Sequence, residues 1–197
     1  GDYAIGQGIG TVSTDPRFYA ASDATWPAAA KTELGPIVLR QGLGGGSRVS
    51  AVTVNGTVQN SDIIVAEQAM HEMGQQPLFM VRDGEVDLDA LLDGRDYEVM
   101  DPVNIWACPV EHLCDVVIPR VTTFCVWEPL AIQGEIWASG GIGPQRWAVM
   151  DRVNGPKTAL LSRNDDKPAG AAFCAIHDGV AMIHALEILP HQRRNGM

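Results

Sequence analysis

The stretch AGAAFCAIHDGVAMIHALEIL, residues 169–189, decides the fold of the C-terminal half of the chain. Two apolar runs, 169–177 and 180–189, flank the pair Asp178-Gly179. A two-residue Asp-Gly loop favours a type I′ turn, because glycine tolerates a positive φ and the twist of this turn matches that of antiparallel strands. The stretch therefore predicts a β-hairpin.

The residues before this hairpin extend it into a larger unit. The apolar runs 146–153 and 158–163 predict two more strands, which gives a meander of three or four antiparallel strands. Helical spacing of apolar residues precedes them at 111–117 and at 130–139, where Gly140 ends the second helix. This half therefore belongs to the α+β class.

The first half of the chain also mixes both kinds of element. We predict strands 37–40, 49–54, 78–82, 97–100 and 103–107, and helices 63–73 and 87–93. The glycine-rich stretch 42–46 resembles a phosphate loop, but no Gly-Lys-Ser/Thr follows it, so a hairpin connection is the better interpretation. The glycines of 6–10 follow no strand and are assigned to a loop or N-terminal arm.

Composition narrows the possible partners. The formal net charge of −10 argues against nucleic acid, which needs a basic surface. No apolar run approaches the roughly 18 residues of a membrane span, so we expect no membrane association and a cytoplasmic location. The four cysteines have no zinc-binding spacing, and we expect no metal and reduced, buried thiols at these positions: Cys108, Cys114, Cys125 and Cys174.

The end of the last predicted strand leads into a basic turn, LEILPHQRRNGM, residues 186–197. Exposed backbone N–H groups in such a turn, helped by Arg193 and Arg194, can surround a pyrophosphate. The alternative is a solvated surface turn, and the residue types alone do not separate the two.

Residues 132–197 resemble the Gcn5-related N-acetyltransferase (GNAT) family. The family's pyrophosphate loop has the pattern Arg/Gln-x-x-Gly-x-Gly/Ala; Arg193 matches its first position and Gly196 its second. Its last position would follow Met197, so the chain ends inside this loop. We therefore expect the 197-residue chain to bind coenzyme A weakly, because the resemblance places a supporting helix after the loop.

The resemblance implies that acetyl-CoA is the co-substrate and lies beside the last strand, in which the family has a β-bulge. The implied cofactor-binding residues are Leu186, Ile188, Leu189, Arg193, Arg194, Asn195, Gly196 and Met197. The backbone of Ile188 would pair with the pantetheine or polarise the thioester carbonyl, and backbone N–H groups from Arg193 onward would hold the pyrophosphate.

Two residues of the last strand are candidate bases for removing a proton from the acceptor amine. His184 matches the histidine that arylalkylamine N-acetyltransferases use for proton transfer, and a histidine titrates near neutral pH. Its alternative role is a core histidine that is hydrogen bonded to a neighbour. Glu187 is the second candidate. In a regular strand, His184 would share a face with Leu186 and Ile188, opposite Glu187; a bulge would change this.

The first half resembles the degenerate N-terminal half of two-domain GNAT proteins, notably in the segment 88–97. This implies an arm at 1–25, a degenerate GNAT-like domain at 26–108 and an acetyltransferase domain at 109–197. The implied fold is two α/β halves with mixed, largely antiparallel sheets, the second of them incomplete. Trp127, Trp137 and Trp147 would line the acceptor side or pack in the core.

The resulting expectation is an acetyl-CoA-dependent N-acetyltransferase that acts on a small-molecule or peptide amine, with a homodimer as its candidate assembly. Two alternatives stay open. One is a catalytically silent GNAT-like module that senses acyl-CoA or binds a partner. The other is a structural α+β protein whose basic turn is only surface.

Overall fold

The computed structural model describes residues 15–194. It confirms an α+β fold with two antiparallel sheets, one of three strands and one of four. The helices are α1 Pro16–Thr25, α2 Asn60–Glu72, α3 Val86–Asp93, α4 Ala131–Ser139 and α5 Pro144–Asp151. The strands are β1 Ala30–Leu34, β2 Ile37–Gln41, β3 Thr53–Val54, β4 Thr123–Val126, β5 Lys157–Asn164, β6 Lys167–His177 and β7 Val180–Ile188.

The hairpin predicted from Asp178-Gly179 joins β6 to β7. Both turn residues have a positive φ, 44° at Asp178 and 76° at Gly179, as a type I′ turn requires. Asp165 and Asp166 make a second positive-φ pair between β5 and β6. These two tight turns place β5, β6 and β7 side by side. β4 pairs with the other edge of β5, which gives the strand order β4-β5-β6-β7 with every neighbouring pair antiparallel.

The predicted helices at 63–73, 87–93 and 130–139 are confirmed as α2, α3 and α4. The Asp62 carboxylate accepts a hydrogen bond from the Gln59 N–H at 2.8 Å, which fixes the start of α2. The N-terminal arm expected at 1–25 is helical in the part that the structure describes. Residues 16–25, assigned to an arm, form α1, which Asp15 caps through the Arg17 N–H. The remainder of the arm, with the glycines of 6–10, lies outside the described residues.

Several predicted strands are wrong. Residues 146–153 belong mostly to α5, because Pro144 opens a helix and Val149, Met150 and Val153 follow the helical spacing. Only 53–54 of the strand predicted at 49–54 is extended, and 78–82 contributes a single parallel bridge, Val52 to Phe79. The segments 97–100 and 103–107 form no strand, and 111–117 gives only a 3₁₀ turn at Val110–Leu113.

Two apolar cores organise the described residues, and they do not divide at residue 108. One lies between the three-stranded sheet, α2 and α3, and includes Ile37, Ile63 and Leu88. The other lies against the four-stranded sheet, and Trp26 and Val49 belong to it together with later residues. Both α1 and α4 pack on β6 and β7.

The cysteine expectation is also corrected. Cys108, Cys114 and Cys125 are exposed, and Cys174 is half-buried. Cys108 and Cys114 lie in a segment that forms no strand or α-helix, so their apolar neighbours are exposed with them. No helix within residues 15–194 is long and apolar enough to cross a membrane.

Candidate functional site

The candidate site centres on an irregularity in β7, the last strand of the four-stranded sheet. Ala171 of β6 pairs with Glu187, whereas Phe173 pairs with His184, so two β7 residues lie opposite the single residue Ala172. This is a β-bulge, and Ala185 within it has a φ of 49°. The Trp137 indole Nε1–H donates to the Ala185 carbonyl at 2.8 Å and holds the bulge against α4.

The bulge changes which side chains share a face. Paired residues of antiparallel strands point to the same side, and Phe173 and Ala171 are two positions apart on β6. His184 and Glu187 therefore lie on the same, covered face, because the bulge replaces the regular alternation that would put them on opposite faces. Leu186, expected beside His184, is 67% exposed.

His184 is 3% exposed and is held by two hydrogen bonds and a ring contact. Its Nδ1 lies 2.8 Å from Arg48 Nη1, and its Nε2 lies 2.7 Å from Thr25 Oγ1. The guanidinium can only donate, so Nδ1 is the acceptor and the ring proton is on Nε2. Nε2–H then donates to Thr25, whose hydroxyl donates in turn to the Ala21 carbonyl at 2.6 Å.

This environment keeps the imidazole neutral. Burial, and after it the nearby Arg48 charge, lower the pKa of His184 from 6.5 to about 3. The ring also stacks on Trp26, with centroids 5.1 Å apart. A neutral histidine has one lone pair to accept a proton, and here Arg48 occupies it. The arrangement matches the alternative role of a hydrogen-bonded core histidine, and proton transfer by His184 requires Arg48 to move away.

Glu187 is also engaged. Its Oε1 accepts a hydrogen bond from Arg193 Nη2 at 3.0 Å. Its carboxylate lies against Gly140, where a methyl group would overlap Oε2. A base role for Glu187 would likewise require the loss of a cationic partner.

The residues expected to bind the cofactor lie at the end of β7, in the turn that follows it, or outside the described residues. Leu186 is exposed, whereas Ile188 and Leu189 are half-buried, and the Leu189 N–H already donates to the Ala169 carbonyl at 2.9 Å. Arg193 is folded back, because its Nε donates to the Ile188 carbonyl at 2.9 Å. Arg194 is exposed. Asn195, Gly196 and Met197 lie outside the described residues.

A cleft of about 190 Å³ opens beside the bulge and was not expected from the sequence. Its walls include Trp26, Arg48, Ile142, Arg146 and Ala185, with the glycine-rich loop along one side. Trp26 lines it. The three tryptophans expected either on the acceptor side or in the core pack against other side chains: Trp137 is fully buried against Trp147, and Trp127 packs on Phe173. The only sequence signal was the run of glycines at 42–46.

Two further kinds of site are possible in this molecule, a cavity away from the bulge and a metal site. A second cavity of about 230 Å³ lies between residues 54–58 and 84–88 and contains none of the predicted site residues. Within residues 15–194, no group of three or more His, Cys, Asp or Glu side chains is arranged to hold a metal ion.

Comparison with known proteins adds a distant likeness. No family model matches the chain, and no curated protein matches it. A crystal structure of a functionally unknown conserved protein from Staphylococcus epidermidis is similar to 84% of this chain and 73% of that one, with 10% sequence identity and a TM-score of 0.49.

Proposed function

We propose that the protein is an N-acetyltransferase that transfers an acetyl group from acetyl-CoA to an amine. The observation that carries this proposal is the bulge at Ala185, in an edge strand that leads directly into the basic turn at 190–194. A bulge in this strand is what the GNAT resemblance implies.

The residues around the bulge fit a thioester co-substrate. β7 has β6 on one side and no paired strand on the other among the described residues, so its outer backbone edge can pair with an extended chain such as pantetheine. Ile183 and Leu186 are exposed beside that edge. Arg194, which makes no ion pair within 15–194, can contribute charge toward a phosphate.

Acetyl-CoA would supply an acetyl group activated as a thioester. The chain's own task is to bind the acceptor with its amine unprotonated and directed toward the bulge. His184 and Glu187 remain the candidate bases, each after release of its arginine. Water at the cleft is the other route for the amine proton.

One observation favours a second candidate function, a silent acyl-CoA-sensing module. Both candidate bases already have cationic partners, Arg48 on His184 and Arg193 on Glu187. A protein that binds acetyl-CoA without turnover would leave these pairs intact.

Thermal unfolding with acetyl-CoA tests the proposal, on the 197-residue chain and on any natural form that continues past Met197. At about 100 times the dissociation constant, the ligand should stabilise the protein by about 2.7 kcal/mol. Arg194→Gln should reduce the shift, whereas Arg120→Gln, the same change at an exposed residue away from β7, should not. If acetyl-CoA shifts the thermal unfolding of none of these forms, both candidate functions are rejected.

Release of the coenzyme A thiol in the presence of a panel of amines separates the two functions. Thiol release that depends on an amine supports the transferase. If acetyl-CoA stabilises the protein but no amine causes release of the coenzyme A thiol, the result supports the sensing module.

A further inference from the structure

The cleft beside Ala185 combines a cationic end with apolar walls. Arg48 and Arg146 provide the charge, and Trp26 and Ile142 provide the apolar surface. Because Ala185 belongs both to the cleft and to the bulge, a molecule in the cleft would lie next to the point where β7 departs from regular pairing.

The two arginines reach the cleft from distant parts of the sequence. Arg48 lies in the 3₁₀ turn Ser47–Val49, and Arg146 lies in the first turns of α5. Glycine at position 45 permits this approach, because a methyl group there would lie 2.7 Å from Val149 Cγ2. The backbone of the loop therefore packs directly on α5.

Neither guanidinium has an acidic partner within residues 15–194. Six other arginines in this part of the chain do form ion pairs: Arg17, Arg40, Arg82, Arg95, Arg163 and Arg193. The chain has 24 acidic residues against 14 basic ones, so the lack of a carboxylate at this cleft is not explained by a shortage of acids.

The two like charges also oppose each other. Burial, and after it the charge of Arg146, lower the pKa of Arg48. Arg48 uses Nη1 for His184 and lies over the Trp26 ring at 5.8 Å, which leaves further N–H donors for a ligand. A bound anion would offset the repulsion between Arg48 and Arg146 and accept hydrogen bonds from the unused N–H groups of Arg48.

We propose that the cleft binds a carboxylate carried by the acceptor amine, so that the acceptor is an amino acid or a similar carboxylate-bearing amine. The inference rests on the proposed acetyl transfer. Arginine forks match the geometry of a carboxylate, Trp26 and Ile142 can contact an apolar side chain, and the amine would lie toward Ala185.

Equilibrium binding without acetyl-CoA tests the inference independently of catalysis. The probes are L-leucine and 3-methylbutylamine, which differ only in the carboxylate, and the readout is a shift of the Trp26 indole signal in NMR spectra. We expect leucine to bind about tenfold or more tightly than the amine, the effect of a charge-assisted hydrogen bond.

Variants assign that preference to the cleft. Arg146→Gln should reduce it, because only Arg48 then remains to pair with the carboxylate. Arg146→Lys should retain more of it, and Arg120→Gln should leave it unchanged. Equal affinity for the two probes, or a preference that is undiminished in Arg146→Gln, overturns the inference. Binding of inorganic phosphate at the Trp26 signal without a preference for leucine also overturns it, because the cleft would then be a site for free phosphate.

Failure of the proposed function gives a different pattern. If leucine is preferred but acetyl-CoA causes no stabilisation, the carboxylate site stands and the transferase does not. If acetyl-CoA stabilises the protein and the two probes bind equally, the transferase stands and the choice of acceptor does not.

Discussion

The two faces of the four-stranded sheet differ in what covers them. Phe173 on one face is fully buried and packs on Trp26 and Trp127, beneath α1 and α4. Its neighbour on the other face, Cys174, pairs with Ile183, which is 59% exposed. Leu186 is more exposed still. Adjacent residues of one strand thus have opposite environments.

This contrast separates the predicted site residues by role. His184 and Glu187, chosen for their chemistry, lie on the covered face, where hydrogen bonds occupy them. The exposed residues, and the edge of β7 that no strand within residues 15–194 pairs with, are the groups available to a ligand. A residue type suited to catalysis therefore says less about its role than the face on which a bulge places it.

Truncation of one side chain on each face should give the largest difference. Phe173→Ala should lower the free energy of unfolding by about 3–5 kcal/mol, because it leaves a cavity under two helices. Ile183→Ala on the open face should lower it by less than about 1 kcal/mol. Urea unfolding followed by tryptophan fluorescence measures both. Similar losses for the two variants would mean that the open face is covered in solution.

The pH dependence of stability tests the covered face through His184. Its pKa is about 3 in the folded protein and 6.5 in the unfolded chain, so the unfolded chain binds more protons between these values. Stability should be complete above pH 6.5 and fall as the pH decreases toward 3. From pH 6.5 to 5 the loss should be about 2 kcal/mol, at about 1.4 kcal/mol for each pH unit.

Two histidine variants isolate this contribution. His184→Gln can still accept from Arg48 and donate to Thr25, and it should remove the dependence over this range. His177→Gln, at a partly exposed residue near the hairpin turn, should retain it. Equal slopes of stability against pH in wild type and His184→Gln would show that His184 is not buried as described.

The elements predicted most accurately from the sequence are those that local interactions determine. The Asp178-Gly179 turn specifies its hairpin by itself, and the apolar spacing of α2 and α4 identifies those helices. The strand predicted at 146–153 was wrong because short apolar runs fit both periods, and Pro144 decides between them. The strands predicted at 97–100 and 103–107 were wrong because apolar composition does not reveal whether a partner strand exists.

The candidate site depends on long-range contacts, which explains why only part of it was predictable. The resemblance implied a bulge, but not that it would bring His184 to Arg48 and Thr25, residues more than a hundred positions away. The cleft beside Ala185 joins Arg48 to Arg146 through a backbone approach at Gly45. No spacing within one segment indicates such a pair.

An effect smaller than those at Phe173 and His184 is expected at Glu187, the other predicted base on the covered face. Gly140→Ala adds a methyl group where the Glu187 carboxylate lies, so the carboxylate must move away from Arg193. We expect a loss of about 1 kcal/mol, because the atoms that move are the flexible end of a side chain. The loss should shrink in a Glu187→Ala background, which removes the three atoms nearest to the added methyl group. Urea unfolding of the four proteins in this cycle measures the coupling. A Gly140→Ala loss that is the same in both backgrounds would show that the Glu187 carboxylate does not rest against Gly140.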